Sequence, residues 1–271
     1  MRKNDFFILK SIIDIFLMST ITLTFGDMAE NHVGMEQLGT LGDAGTGFNK
    51  QDLQEFRRIF KSMNCNAKLI SLNKSNIEAD DAHILIVEQG IHKLLREFSE
   101  FDYNDLLAEQ ESLPYDRHAF MYGRVVNKKA RWNICFDSDG HPPDYENKLG
   151  TVISWSDAPI TKTVYDILVS QLGSKVSNLK CEGNYYYNTE ICGIGYHGDS
   201  ERRKVMGMRL GEPLPLSFAW YQRSERLSEP QQFLLKPGTI YFMSEKATGT
   251  DWKKRSIPTL RHAAGCEKFI A

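Results

Sequence analysis

The sequence predicts a mixed α+β fold, with helices toward the N-terminus followed by an antiparallel sandwich or jelly roll. Three observations predict it. After Gly173 the strand candidates 178–187, 190–196, 204–210, 214–221, 231–235, 239–243 and 257–263 come in quick succession, with turn residues between them. No long helix interrupts this series, which argues against an alternating α/β sheet. The helical periodicity is confined to segments before Gly173.

Taken in chain order, "MRKNDFFILKSIIDIFLMSTITLTFG" opens with basic residues and is rich in Phe, Ile and Leu. Lys10 and Asp14 interrupt it, and its longest uncharged apolar run falls short of the roughly 18 residues of a membrane span. An amphipathic extension, or an upstream start before Met28, is expected here in preference to a signal peptide. "GMEQLGTLGDAGTGFNK" is Gly-rich without periodicity and reads as a connector. Leu53, Phe56, Ile59 and Phe60 then recur at helical spacing behind an Asn49 cap. "AHILIVEQG" suits a strand and "IHKLLREF" a helix. "AFMYGRVV" and "ARWNICFD" are strand-like, and "SDGHPPDYENKLG" is a loop. "APITKTVYDILVSQLG" is a helix with Pro159 near its start and Gly173 past its end. The expected organisation is a flexible N-terminal extension (1–48), a helical segment packing on the core (49–115) and the β domain (116–271).

The net charge of -2 gives no global basic field that would draw nucleic acid or anionic membrane. The five cysteines are scattered, with no CxxC pair, and read as reduced thiols of an intracellular protein of cytoplasm or nucleus. A monomer without membrane association is expected.

The chemistry gathers at "GYHGDSE", residues 195–201. Residues two apart on a strand share a face, so His197 and Asp199 can converge on one ion. A third ligand must come from another strand. "IPTLRHAAG" offers His262, 63 residues beyond Asp199 (262 - 199), a separation that returns the chain to the neighbourhood of the first pair in a jelly roll. Two imidazoles and a carboxylate on one face of an ion leave positions open, the arrangement of non-haem Fe(II) oxygenases.

Residues 178–265 resemble the catalytic core of the AlkB-like family of Fe(II)- and 2-oxoglutarate-dependent dioxygenases. The parts that carry the resemblance are "NYY" at Asn184 to Tyr186, "GYHGDSE", "MRLG" at 208–211, "LSFAWY" at 216–221, "KPGTIYFMS" at 236–244 and "LRHAAG" at 260–265. The resemblance implies a double-stranded β-helix (jelly roll) core with flanking N-terminal helices. It also implies iron held by His197, Asp199 and His262, and C–H oxidation by O2 as 2-oxoglutarate becomes succinate. One departure stands out. The family places arginines beyond the distal histidine to clamp the 2-oxoglutarate carboxylate, and no Arg follows His262 here. Lys268, an even six residues on (268 - 262), is expected on the same strand face and is the first candidate anchor; Arg209 is the second. Asn184 and Tyr186 match family positions that touch the cosubstrate.

Glu201 matches an acidic position that reads a flipped base in the family. Basic clusters at Arg202, Arg203 and Lys204 and at Lys253, Lys254 and Arg255 flank the ligand segments and suggest phosphate contacts, with Trp252 or Trp220 as a stacking surface. "GRVVNKKARWN" lies where the family carries its substrate lid. Oxidative demethylation or hydroxylation of a nucleobase in DNA or RNA, single-stranded or flipped, is the leading expectation. A protein side-chain hydroxylase and a catalytically impaired jelly-roll binding module are the alternatives.

Overall fold

Strand β1 (Thr20–Gly26) sets the architecture. Its sequence, TITLTFG, alternates strictly, so Thr20, Thr22 and Thr24 point to one face and Ile21, Leu23 and Phe25 to the other. All seven residues are buried. The structure is a computed structural model in which residues 18–271 are described; the amphipathic reading of the first 17 positions lies outside them. Residues 18–48 are therefore not a flexible extension, because an alternating strand buried on both faces belongs in the middle of a sheet.

A small hairpin follows, β2 (Met28–Glu30) and β3 (Gln37–Gly39). Helix α1 (Lys50–Ser62) starts at Asn49, whose side chain accepts from the Asp52 amide while the Asp52 carboxylate accepts from the Asn49 amide, a complete capping box. Strands β4 (Asn66–Ser71) and β5 (His83–Glu88) come next, then α2 (Gly90–Phe98) and α3 (Tyr103–Ser112). Strands β6 (His118–Met121) and β7 (Arg124–Asn127) form a separate hairpin, followed by β8 (Trp132–Asp137) and β9 (Val152–Ser154). Helix α4 (Pro159–Leu172) carries Pro159 in its first turn. The remaining strands are β10 (Lys180–Tyr186), β11 (Gly193–His197), β12 (Val205–Gly211), β13 (Leu214–Gln222), β14 (Glu225–Arg226), β15 (Gln231–Leu235), β16 (Ile240–Met243) and β17 (Thr259–Gly265). Two single-turn helices, α5 (Glu245–Thr248) and α6 (Glu267–Ile270), flank β17.

The larger sheet has eight strands in the order β4-β5-β16-β12-β1-β10-β8-β9, and β1 pairs antiparallel with both neighbours. The segment 49–115, expected as a helical unit packing on the core with a strand at "AHILIVEQG", supplies two strands, β4 and β5, to this sheet and so extends it. A smaller sheet runs β11-β17-β13-β14, with β15 also on β13. Leu23, Phe25, Met206, Met208 and Phe242 leave the outer face of the larger sheet and pack on Phe56 and Phe60 of α1 and on Val164 and Leu168 of α4. Ile84, Ile86, Tyr241 and Met243 leave the inner face and meet Leu216, Phe218, Trp220 and Leu260 of the smaller sheet. The molecule is thus three-layered, mostly strands with few helices. Among the described residues no helix is long and apolar enough to cross a membrane.

Candidate metal centre

Strands β11 and β17 are antiparallel neighbours, and His197 stands directly opposite His262 across an irregularity in β11 between Ile194 and His197. Bulges of this kind re-aim a side chain. Asp199 lies just past the end of β11, and its amide donates to the Thr248 carbonyl at 3.0 Å. Gly198 makes this turn possible: a Cβ there would run into the Gly249 carbonyl and lie 2.7 Å from the Trp252 Cβ. Convergence therefore comes from a turn pinned against α5, not from two residues on one strand face.

Asp199 Oδ1 is 3.5 Å from His197 Nε2 and 3.6 Å from His262 Nε2. One ligand atom from each residue falls within 4.8 Å of the others. Three ligands about 2.1 Å from a common ion at right angles would stand about 3 Å apart, so modest closure brings the three onto one ion. His197 Nδ1 donates to the Gly195 carbonyl at 2.8 Å, which leaves the Nε2 lone pair facing the cluster. No thiolate is in the set, so the donors suit a borderline ion such as iron.

Electrostatics agree with a ligand role. Burial, reinforced by His262, lowers the His197 pKa to about 4 against the opposing pull of Asp199. Burial pushes the Asp199 carboxyl up, but His262, Arg202 and His197 together outweigh it and hold it well below the usual carboxylate range. A neutral His197 imidazole beside an ionised Asp199 carboxylate suits a metal.

The cluster opens on a cavity of about 910 Å³. Its floor is the inner face of the larger sheet, where Thr22 of β1 is paired with Asn184 on one side and Arg209 on the other. Arg209 is 1 % exposed. It donates from one terminal nitrogen to Thr22 Oγ1, and its Nε is buried without a partner among the described residues. Burial lowers its pKa, which the Tyr241 and Tyr186 phenols partly offset. Tyr241 lies flat across the sheet because its partner is Gly207, where any Cβ would occupy the ring's place.

No protein-family model matches the chain. An uncharacterized protein of Acanthamoeba polyphaga mimivirus is 43% identical over 259 residues, spanning 94% of this chain and 98% of that protein. The chain belongs to that protein's family. The match spans nearly the whole of both chains.

Of the residues expected at the site, His197, Asp199 and His262 come together, and Asn184, Tyr186, Glu201, Arg209 and Trp252 all line the same cavity. Burial raises the Glu201 carboxyl in spite of Arg202. Trp252 is oriented by a 2.9 Å donation to Ser200 Oγ, and the Arg261 guanidinium lies 5.4 Å from its ring centroid.

Three expectations are corrected. Lys268 is exposed on α6, outside the cavity, because β17 stops at Gly265 (φ +126°) and the parity of a strand no longer applies. Arg202 lines the cavity but is no free phosphate contact: it is buried, donates to Glu182 and to the Met28 carbonyl, and sits 3.6 Å from Asp199 Oδ2. Its neighbour Arg203 is likewise engaged, with Glu245 at 2.9 Å. Trp220 is 1 % exposed and donates to the Leu72 carbonyl, a core residue and not a stacking platform. From "GRVVNKKARWN" the cavity takes Arg131, whose Nε donates to Asn184 Oδ1 at 2.6 Å.

Thr22, Thr24, Arg131, Glu182 and Tyr241 line the cavity without having been singled out from sequence. The Thr-apolar alternation of residues 20–25 is the signal that marks the first two.

Proposed function

We propose that this chain is an Fe(II)- and 2-oxoglutarate-dependent dioxygenase of the AlkB-like kind, with a nucleobase in DNA or RNA as its substrate. The observation that carries the reading is the meeting of His197, Asp199 and His262 from two strands and a turn, within 4.8 Å, at the wall of a large cavity.

The strand arrangement supports a double-stranded β-helix. From β10 onward, successive strands move between the larger and the smaller sheet: β10 large, β11 small, β12 large, β13 and β15 small, β16 large, β17 small. The next strand in that alternation would return to the larger sheet. The place between β10 and β12 is held by β1, which comes from the other end of the chain. Residues 20–26 bring threonines to that place, and a cation stands one strand over as Arg209.

His197, Asp199 and His262 would hold iron, and Arg209 would receive the distal carboxylate of 2-oxoglutarate. Its buried, unpartnered Nε is the feature that fits an anion, because a guanidinium removed from water needs an acceptor. Tyr186 and Tyr241 flank that position, and Thr22 fixes the guanidinium from the side. Iron with cosubstrate would supply the oxidant, one oxygen atom of O2 going into the substrate C–H bond and the other into succinate, with release of CO2.

The cavity lies near the top of the roughly 300–1,000 Å³ range of ligand sites, enough for cosubstrate and a base together. On its substrate side Trp252 offers a ring held in place, Glu201 an acceptor for an exocyclic amine, and Arg131 and Lys253 positive charge for phosphate. The test is succinate release from iron, 2-oxoglutarate and N-methylated single-stranded oligonucleotides. Release that depends on the oligonucleotide and vanishes in His197→Ala supports the reading. Metal and cosubstrate binding with turnover only on peptides would move the substrate to a protein side chain. Binding without turnover on either would leave a binding module.

A further inference from the structure

Arg202 and Glu182 form a buried pair directly behind Asp199, and their side chains are each 7% exposed. Every branch of the guanidinium is engaged. Nε donates to the Met28 carbonyl at 2.9 Å, one terminal nitrogen donates to Glu182 Oε2, and the other faces Asp199 Oδ2 at 3.6 Å. Asp199 therefore presents Oδ2 to Arg202 and Oδ1 to the two imidazoles. Glu182 is fixed in turn: its Oε1 accepts from Asn184 Nδ2 at 2.7 Å, and Asn184 Oδ1 accepts from Arg131 Nε at 2.6 Å. A chain of polar contacts thus runs from Arg131 at the cavity wall through Asn184 and Glu182 of β10 to the back of the central carboxylate.

We propose that Arg202 is a positioning residue for the metal site, holding the Asp199 carboxylate in the rotation that offers Oδ1 to the ion, and that Glu182 balances its charge so that Asp199 keeps its own for the metal. The proposal rests on the metal reading above. Outer partners of this kind orient metal-ligating groups, and their loss commonly lowers metal affinity by about 10–100-fold. A point charge could not do the same work. Only the planar fork reaches Met28, Glu182 and Asp199 at once.

Simple electrostatics predicts the opposite sign, and that makes the proposal testable. Removing a cation beside a cation site should tighten metal binding; removing a brace should loosen it. Cobalt(II) is titrated into the metal-free full chain, followed by its visible ligand-field absorption, for wild type, Arg202→Gln and Arg202→Lys. Thermal unfolding of each metal-free variant is recorded alongside. The expected result is a 10–100-fold weaker cobalt affinity in both variants, with an altered ligand-field spectrum in Arg202→Lys although its charge is kept. Tighter binding in Arg202→Gln, or wild-type affinity and spectrum in a folded Arg202→Lys, overturns the proposal. Loss of the fold in both variants also overturns it, since Arg202 would then be a folding residue. Wild-type protein that takes up no cobalt at this site overturns the metal reading itself, a failure distinct from that of the brace.

Discussion

Arg209 is the residue at which burial and charge conflict most plainly. It is 1 % exposed, its Nε lacks a partner, and its surroundings are two phenols and a threonine instead of a carboxylate. A cosubstrate carboxylate would resolve the conflict. Arg209→Met is therefore expected to weaken 2-oxoglutarate binding by at least about 30-fold, the low end of the roughly 2–5 kcal/mol lost on truncating a buried charge pair. Cobalt affinity should stay unchanged. Calorimetric titration of each ligand checks both halves. Lys268→Met, on the exposed α6, should alter neither. His197 gives a pH signature. Its folded pKa of about 4 lies below the 6.5 of an unfolded imidazole, so between these values the unfolded chain binds more protons. Stability of the metal-free protein then rises with pH across that window, by about 3 kcal/mol from this group. Denaturant midpoints measured from pH 4 to pH 6.5 should show the rise, and His197→Gln should flatten it.

Among the elements, β1 does two jobs with one alternating sequence. Its apolar residues face the helices, and Thr22 and Thr24 face the cavity. Leu23→Ala, at a fully buried position in the outer core, should cost about 2–5 kcal/mol in denaturant unfolding. Thr22→Val keeps the shape but removes the Arg209 partner, so its effect should fall on 2-oxoglutarate affinity and leave cobalt binding intact. The strands after Gly173 were legible in sequence because turn residues punctuate them and each buries a face. The helix at Lys50–Ser62 was legible from its cap and periodicity. The strand at Thr20–Gly26 was masked by the apolar run just before it, which lent the whole stretch the look of an extension. His197, Asp199 and His262 were legible because ligand chemistry limits the residue types. Arg202 was not: a charge run does not reveal that Glu182, 20 residues earlier, lies within hydrogen-bond reach once β10 and the turn after β11 fold together. Lys268 failed for a similar reason. Parity along a strand holds only while the strand lasts, and β17 ends at Gly265.

For the whole molecule, the order of strands matters more than their number. β1 lies between β10 and β12, so the cavity floor is assembled from residues 20–26 together with strands more than 150 residues later. Met18, the first described residue, lies near Ala271. The Thr189 amide donates to the Met18 carbonyl, and Thr189 shares a small cavity lining with Ala271. Joining Ala271 to Met18 by a short linker and opening the chain between Asp43 and Ala44 (both exposed) should therefore give a folded protein with wild-type cobalt affinity. Circular dichroism and cobalt titration check this. A permuted chain that fails to fold would mean that β1 must be laid down first.

The convergence of three side chains on one ion is tested most directly by anomalous diffraction at the manganese edge from crystals grown without oxygen in Mn(II) and 2-oxoglutarate. The account predicts one strong peak about 2.0–2.3 Å from His197 Nε2, Asp199 Oδ1 and His262 Nε2, with the cosubstrate's far carboxylate on Arg209. Manganese bound elsewhere, or the three side chains free of metal at saturating concentration, would contradict it.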